Sequence, residues 1–276
     1  MVELTRRGFV VSAVSGAGAA MIGADARAQQ HGESPDRLDE IVRILGRTDG
    51  GVAIRWTRGV LSGIVGQTTT RLLGVSQQIF SRHRRNEDGS WEACYLELVY
   101  FTDLATGAVS ETWRNPYTGR DVAVPTQALG PTRFKIAPTL RVINQPYALP
   151  GIENTHWFEQ TAASGDDVGY DERIESFVPP MTDGGAPMVF HEVFSFQASR
   201  ADLRDRTRPY VPATVHKVNV ISWRNWMDMT GAEGVTMSHG AGRMARRYDD
   251  VPADLSEKNR AHFPDVIDNL DDYLAL

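Results

Sequence analysis

Alternation of side-chain character along residues 91–102 constrains the fold more than any other feature of this chain. A period of two is typical of a β-strand, because successive side chains point to opposite faces. One predicted face carries Trp91, Ala93, Tyr95, Glu97, Val99 and Phe101, and the other carries Glu92, Cys94, Leu96, Leu98 and Tyr100. A turn signal at residues 86–89 precedes the run. The pattern therefore predicts a long strand that is entered through a tight turn.

The same alternation recurs along the chain and is separated by short turns. Further strands are predicted at 52–57, 69–80, 108–114, 121–124, 134–143, 172–178, 188–197, 213–223 and 235–239, with a continuation at 240–247. Helical spacing is confined to 38–45, 253–262 and 266–274. Residues 125–187 are rich in Pro and Gly, and His156 is assigned to no element there. Strands joined by short turns indicate an antiparallel meander.

An all-β body of this size must deal with its open edges, since an unpaired edge strand invites association. The sequence therefore predicts a mainly β fold, an antiparallel meander that closes into a lipocalin-like barrel with short N- and C-terminal helices. A filled β-sandwich fits nearly as well, and the sequence does not separate the two. We expect one domain over residues 29–276.

The N-terminus has the three parts of a removable signal peptide. Thr5–Phe9 contains paired arginines, a mild apolar stretch follows to residue 24, and Ala26-Arg27-Ala28 offers a cleavage site. Residues 1–28 are therefore predicted to be a twin-arginine signal, which implies the Tat export machinery as a partner and the periplasm as the destination. The apolar stretch is too short and too rich in Gly for a spanning helix, so no membrane anchor is expected.

Charge and cysteine content exclude several classes of protein. Residues 29–276 hold 26 basic and 33 acidic side chains, a net charge of −7. Nucleic acid requires a basic face, so it is not expected as a partner, and neither is an anionic lipid surface. Cys94 is the single cysteine, which rules out an intramolecular disulfide.

Candidate catalytic residues come from single positions, because no established catalytic motif is present. The sequence lacks G-x-S-x-G, H-E-x-x-H and C-x-x-C, and no local spacing predicts a zinc site or names a cofactor. His239 or His216 could enter the cavity as a general base, with Glu97 or Glu111 as the partner. The alternative is that the His residues are structural and that either Glu pairs with an Arg such as Arg114 or Arg55.

Aromatic residues form the second constellation. In a barrel of this size they could line a cavity for a planar or apolar ligand, or they could simply fill the core. The candidate ligand-binding residues are Tyr95, Trp113, Asn115, Trp223, Trp226 and Arg243.

Three segments resemble the bacterial family of unknown function DUF1838. They are residues 111–119 with Val122 and Val124, Ser222-Trp223 with Trp226-Met227, and residues 239–243. The resemblance covers roughly residues 35–265, whereas 146–183 does not match the family pattern. Members often carry Tat signals, so the resemblance implies a shared fold and compartment but no reaction. Positions that match the family are Asn115, Trp223, Trp226, His239 and Arg243.

Three functional hypotheses follow. The first is a periplasmic protein that binds a small hydrophobic or aromatic molecule in the barrel. The second is a cofactor-independent lyase, isomerase or hydrolase that acts on such a molecule with a His/Glu acid–base pair. The third, a structural module of the envelope, has little support. An ionisable pair within about 3 Å inside the cavity would favour catalysis over binding alone. The oligomeric state is not predicted.

Overall fold

The structure, a computed structural model, describes residues 35–143, 153–161, 164–179 and 187–276. Its strands are β1 Ala53–Val65, β2 Thr68–Arg85, β3 Trp91–Thr102, β4 Thr112–Arg114, β5 Asp121–Ala123, β6 Gln127–Ile136, β7 Val142–Ile143, β8 Glu153–Gln160, β9 Asp167–Val178, β10 Met188–Ser199, β11 Ala213–Ser222 and β12 Val235–Ala245. Its α-helices are α1 Pro35–Leu45, α2 Arg200–Arg204, α3 Ala253–His262, α4 Pro264–Asp268 and α5 Leu270–Tyr273. Two 3-10 helices span Asn225–Met227 and Tyr248–Asp250.

Ten strands form one antiparallel sheet in the order β7-β6-β3-β2-β1-β12-β11-β10-β9-β8. The two edge strands approach each other, as an isolated β-bridge between Arg141 and Trp157 shows. The Phe158 N–H also donates to the Leu140 carbonyl over 2.8 Å. The sheet is therefore a nearly closed barrel, which confirms the predicted mainly β fold and decides against a sandwich. Near-closure into a barrel is how this ten-stranded sheet avoids open strand edges.

Helix α1 packs across the end of the barrel at which β1 begins. Its apolar stripe follows the helical spacing of i, i+3, i+4 and i+7, and every member is buried: Leu38, Ile41, Val42 and Leu45. The stripe belongs to the same apolar cluster as the inward-facing Phe134, Phe194 and Phe196. The Arg43 guanidinium donates to the carbonyl of Leu203 over 2.7 Å and anchors α1 to α2. We call α1 the plug helix.

The opposite end is covered by the β4–β5 hairpin (residues 112–123) and the 3-10 helix Asn225–Met227, which together we call the cap. Asn115 is fully buried, and its Nδ2 donates to the Met227 carbonyl over 2.6 Å, which ties the two halves together. The cap approaches β1 closely at Gly63, where a Cβ atom would lie 2.5 Å from the Tyr117 Oη. A larger residue than glycine would therefore push the cap away from the sheet.

Helices α3, α4 and α5 cover the outer face of β1, β2 and β3. This explains why both faces of β3 are largely buried, including the outward-facing Leu96, Leu98 and Tyr100. Asn259 of α3 fixes this layer: it exchanges side-chain hydrogen bonds of 2.8 and 2.9 Å with Gln78 and accepts one of 2.9 Å from the Tyr100 hydroxyl. No helix in the described part of the chain is long and apolar enough to cross a membrane.

Most predicted strands are present, and the differences lie in the middle of the chain. Residues 134–143 form the end of β6, a turn and the short β7 rather than one strand. Strand β8 was not predicted, and it contains His156. The predicted return strand at 108–114 is reduced to the three residues of β4, which pair with β5 outside the barrel. The predicted signal peptide, residues 1–28, lies outside the described residues.

Candidate functional site

A cavity of about 380 Å³ lies inside the barrel and is lined by side chains from all ten strands of the sheet. Its apolar wall consists of Val75, Ile79, Val99, Leu129, Phe134, Val142, Ile174, Val178, Met188, Phe190 and Phe194. Two of these, Leu129 and Met188, keep 44% and 38% of their surface exposed. The cavity therefore reaches the surface beside them. Its walls follow from strand geometry, since alternate residues of each strand point inward.

Glu172 on β9 is the centre of a buried ionic network on the cavity wall. Its carboxylate pairs with the Arg55 guanidinium from β1, and its Oε1 lies 3.0 Å from the His156 Nε2. Glu172 is 1% exposed. Burial alone would raise its pKa, but the Arg55 charge and the His156 hydrogen bond outweigh burial and hold the pKa at about 2. The Arg55 Cζ also lies 3.8 Å from the Phe194 ring centroid.

A second ion pair joins neighbouring strands on the same wall. The Lys217 Nζ on β11 lies 2.8 Å from the Glu192 Oε1 on β10, and both side chains are at most 10% exposed. The Lys217 ammonium also lies 5.3 Å from the Phe194 ring centroid. Phe194 thus lies between the two cations of the cavity that have carboxylate partners.

Glu97 on β3 faces the cavity and has no cation within ion-pair distance among the described residues. Its Oε1 accepts a hydrogen bond of 2.6 Å from the Gln77 Nε2 on β2. Burial is the main cause of the raised pKa of Glu97. The positive charge of Lys217 lowers this pKa, and the negative charge of Glu192 raises it further. A carboxyl group with a raised pKa in an apolar cavity is suited to proton transfer.

Three other polar side chains of the lining have buried atoms without a hydrogen-bond partner in the described structure. They are the Arg224 Nε, the Asn219 Oδ1 and the Ser238 Oγ. Asn219 and Ser238 face each other in the register of β11 and β12. Buried polar atoms are usually paired with protein groups or ordered water, so these three atoms are available to contact a molecule that occupies the cavity.

Of the residues predicted as site residues, Tyr95 and Glu97 line the cavity. His216, His239 and Arg243 do not: all three are exposed on the outer face of the barrel. The reason is strand parity, since their neighbours Lys217 and Ser238 point inward. The expectation that His216 or His239 enters the cavity is therefore corrected.

The remaining predicted residues lie in or beside the cap and not in the cavity lining. Glu111 is exposed. The Asn115 Oδ1 accepts from the N–H groups of Tyr117 and Thr118, which gives it a structural role in the hairpin turn. The Trp223 Nε1 donates to the Glu233 carbonyl over 3.1 Å. Trp113 and Trp226 pack edge to face with their ring centroids 6.2 Å apart.

Six charged or ionisable lining residues were not predicted as site residues: Arg55, His156, Glu172, Glu192, Lys217 and Arg224. The sequence does contain a signal for Lys217: it is adjacent to His216 on a clear strand, so the two side chains point to opposite faces of the sheet. The sequence favours the face with His216, whereas Lys217 faces the cavity. His156 lies in the unpredicted β8, so no periodicity could have placed it.

Within the described ranges, no three His, Cys, Asp or Glu side chains converge in a way that could hold a metal ion. A family model described as a protein of unknown function (DUF1838) matches residues 50–271. No curated protein and no solved structure gives a significant match. The match spans most of the chain, and the chain therefore belongs to the DUF1838 family.

Proposed function

We propose that this DUF1838 family member binds a small, largely apolar molecule that carries a polar group, and that the binding site is the barrel cavity. One observation carries the proposal: an apolar cavity of about 380 Å³ also contains buried polar atoms without a protein partner. Small-molecule sites typically measure about 300–1,000 Å³ and combine apolar walls with a few polar groups.

The combination argues against a merely imperfect core. Cavities that stay empty in proteins are apolar, whereas polar cavities are filled by water or ligand. An unpaired buried polar group costs about 1–3 kcal/mol, so a wall with several such atoms is destabilising unless a bound molecule or water pairs with them. The exposed apolar side chains of Leu129 and Met188 beside the cavity are consistent with entry of an apolar molecule.

Fluorescence of N-phenyl-1-naphthylamine, an uncharged apolar probe, tests the proposal. We expect its emission to rise and shift to the blue on addition of the protein, with a dissociation constant in the micromolar range. Val75→Trp should weaken binding at least about tenfold, because the larger side chain occupies the cavity that Val75 lines. Val218→Trp is the matched control, since Val218 is 45% exposed on the outer face. Equal binding by both variants, or no binding by the native chain, would contradict the proposal.

A second candidate function is proton transfer on the bound molecule, and Glu97 favours it. Its carboxyl group faces the cavity, has one hydrogen-bond donor from the protein and has a raised pKa. Glu97 would act as the general base, and the nearby cations would stabilise negative charge that develops on the substrate. Two ionisable pairs inside the cavity, His156–Glu172 at 3.0 Å and Lys217–Glu192 at 2.8 Å, support catalysis over binding alone.

Deuterium exchange at C1 of 2-tetralone, followed by NMR in D₂O, tests this candidate without knowledge of the substrate. We expect exchange faster than in buffer, and a rate that rises with pH around a value above the ordinary Glu pKa. Glu97→Gln should reduce exchange to the buffer rate, whereas Glu111→Gln, at an exposed position, should not. Equal rates for these two variants would exclude Glu97 as the base.

The N-terminal sequence supports the proposal that the protein is located in the periplasm. Arg6 and Arg7 are the paired arginines on which the proposal rests. Replacing both by Lys should retain the protein in the cytoplasm of its native host. Periplasmic recovery of that variant after cell fractionation would exclude the Tat route.

A further inference from the structure

Arg224 is the cavity residue whose charge is least accounted for by its surroundings. It lies two residues after the end of β11 and lines the cavity, and its side chain forms no ion pair or hydrogen bond with any described residue. The Nε atom is buried without an acceptor. Desolvation lowers the pKa of Arg224, and the negative charges of Glu97 and Glu192 oppose this shift. An Arg remains charged in such a place, so an uncompensated cation faces the cavity.

The other ionisable side chains of the described lining form no direct ion pair with Arg224. Glu172 is engaged by Arg55 and His156, and Glu192 is engaged by Lys217. Glu97 is the remaining carboxyl group in the lining, and among the described residues it accepts a hydrogen bond from Gln77 and forms no ion pair with Arg224. Within the described lining, Arg224 therefore has no carboxylate group in ion-pair contact.

The position of the guanidinium is suited to a ligand. The Arg224 Cζ lies 5.3 Å from the Phe101 ring centroid, so the aromatic face supports the cation without using its N–H groups. The Ser238 hydroxyl and the Asn219 amide add two buried polar groups to the same cavity, each with an unpaired oxygen. A guanidinium binds a carboxylate through two parallel hydrogen bonds, which makes carboxylate its best-matched planar anion.

We infer that the molecule bound in the cavity is a small apolar carboxylate whose carboxylate group pairs with Arg224. This inference rests on the proposed function and specifies its ligand class: the apolar body lies along the wall that includes Val75 and Phe190, and the charge lies beside Arg224. No covalent step is involved.

Two probes with the same ring system separate this inference from binding in general. They are 2-naphthylacetate and the uncharged 2-(2-naphthyl)ethanol, titrated into the native chain at pH 7 by calorimetry. We expect the carboxylate to bind at least about tenfold more tightly, since a charge-assisted bidentate contact contributes more than a neutral hydrogen bond. Equal affinities would overturn the inference and leave the proposed function intact, whereas failure of both probes to bind would remove both.

Variants of Arg224 assign the preference to this residue. Arg224→Gln should abolish the difference between the probes and change the affinity for the alcohol by less than about threefold. Arg224→Lys should retain part of the preference, because it keeps the charge but not the paired N–H geometry. Arg114→Gln is the control at an exposed arginine. A preference that persists in Arg224→Gln would overturn the assignment, and the native-chain comparison remains decisive if that variant does not fold.

Discussion

Replacing Glu172 by Gln tests the ionic network that forms the cavity wall. The substitution preserves the shape of the side chain but removes the negative charge that Arg55 and His156 share. The pKa of Glu172 is lowered from 4.5 to about 2, a difference that corresponds to about 3 kcal/mol of stability at neutral pH. Because the side chain is 1% exposed, screening by solvent does not reduce this value. Removal of one partner from a buried ion pair independently costs about 3–5 kcal/mol.

The measurement is urea unfolding at pH 7 followed by circular dichroism. We expect Glu172→Gln to lower the free energy of unfolding by about 3 kcal/mol with an unchanged m-value. The matched control is Glu175→Gln on the same strand, where a side chain that is 50% exposed lies 3.9 Å from His191. Its expected effect is within about 0.5 kcal/mol.

The pH dependence follows from the direction of the shift. A folded-state pKa below the unfolded value means that the contribution is present above pH 4.5 and is lost as the pH falls toward 2. The difference between native chain and Glu172→Gln should therefore shrink over this range, since a protonated Glu172 is also uncharged. A variant as stable as the native chain at pH 7, or a difference that stays constant down to pH 3, would refute the reasoning.

Two further predictions concern the plug-helix end and the cap. Burial lowers the pKa of His83 from 6.5 to about 4, so the folded chain resists protonation and should lose about 3 kcal/mol of stability as the pH falls from 6.5 to 4. His83→Leu should flatten the unfolding free energy over that range, and an unchanged slope would contradict the assignment. Asn115→Ala should lower the free energy of unfolding by about 1–3 kcal/mol, because the Met227 carbonyl and two turn N–H groups lose their partner. Chemical denaturation measures it against Asn225→Ala, at an exposed position of the cap, and equal effects would argue against the structural role of Asn115.

The barrel was predictable because its strands carry a clear period of two. For β3 the sequence also identified the cavity-facing set, which includes Tyr95 and Glu97. The same periodicity divides β11 into two faces but does not say which face is inside. Histidine chemistry favoured the face with His216, whereas the barrel places Lys217 and Asn219 inside. A buried Lys is rare, and only its pairing with Glu192 on the adjacent strand makes it acceptable.

The ionic network around Glu172 could not be predicted from local sequence. Its members lie on β1, β8 and β9, and the sequence separation of Arg55 and Glu172 is 117 residues. Such contacts depend on barrel closure, which no short-range pattern encodes. The aromatic positions show a different limit: the sequence groups Trp113, Trp223 and Trp226 as candidate ligand-binding residues, but they lie in or beside the cap instead of in the cavity wall.

A crystal structure of the chain with 2-naphthylacetate tests the central claim most directly. The account predicts electron density for the naphthyl ring inside the barrel, against Val75 and Phe190, with the carboxylate within hydrogen-bonding distance of the Arg224 guanidinium. Density for the probe only on the outer surface, or a barrel interior filled by the protein's own side chains, would contradict it.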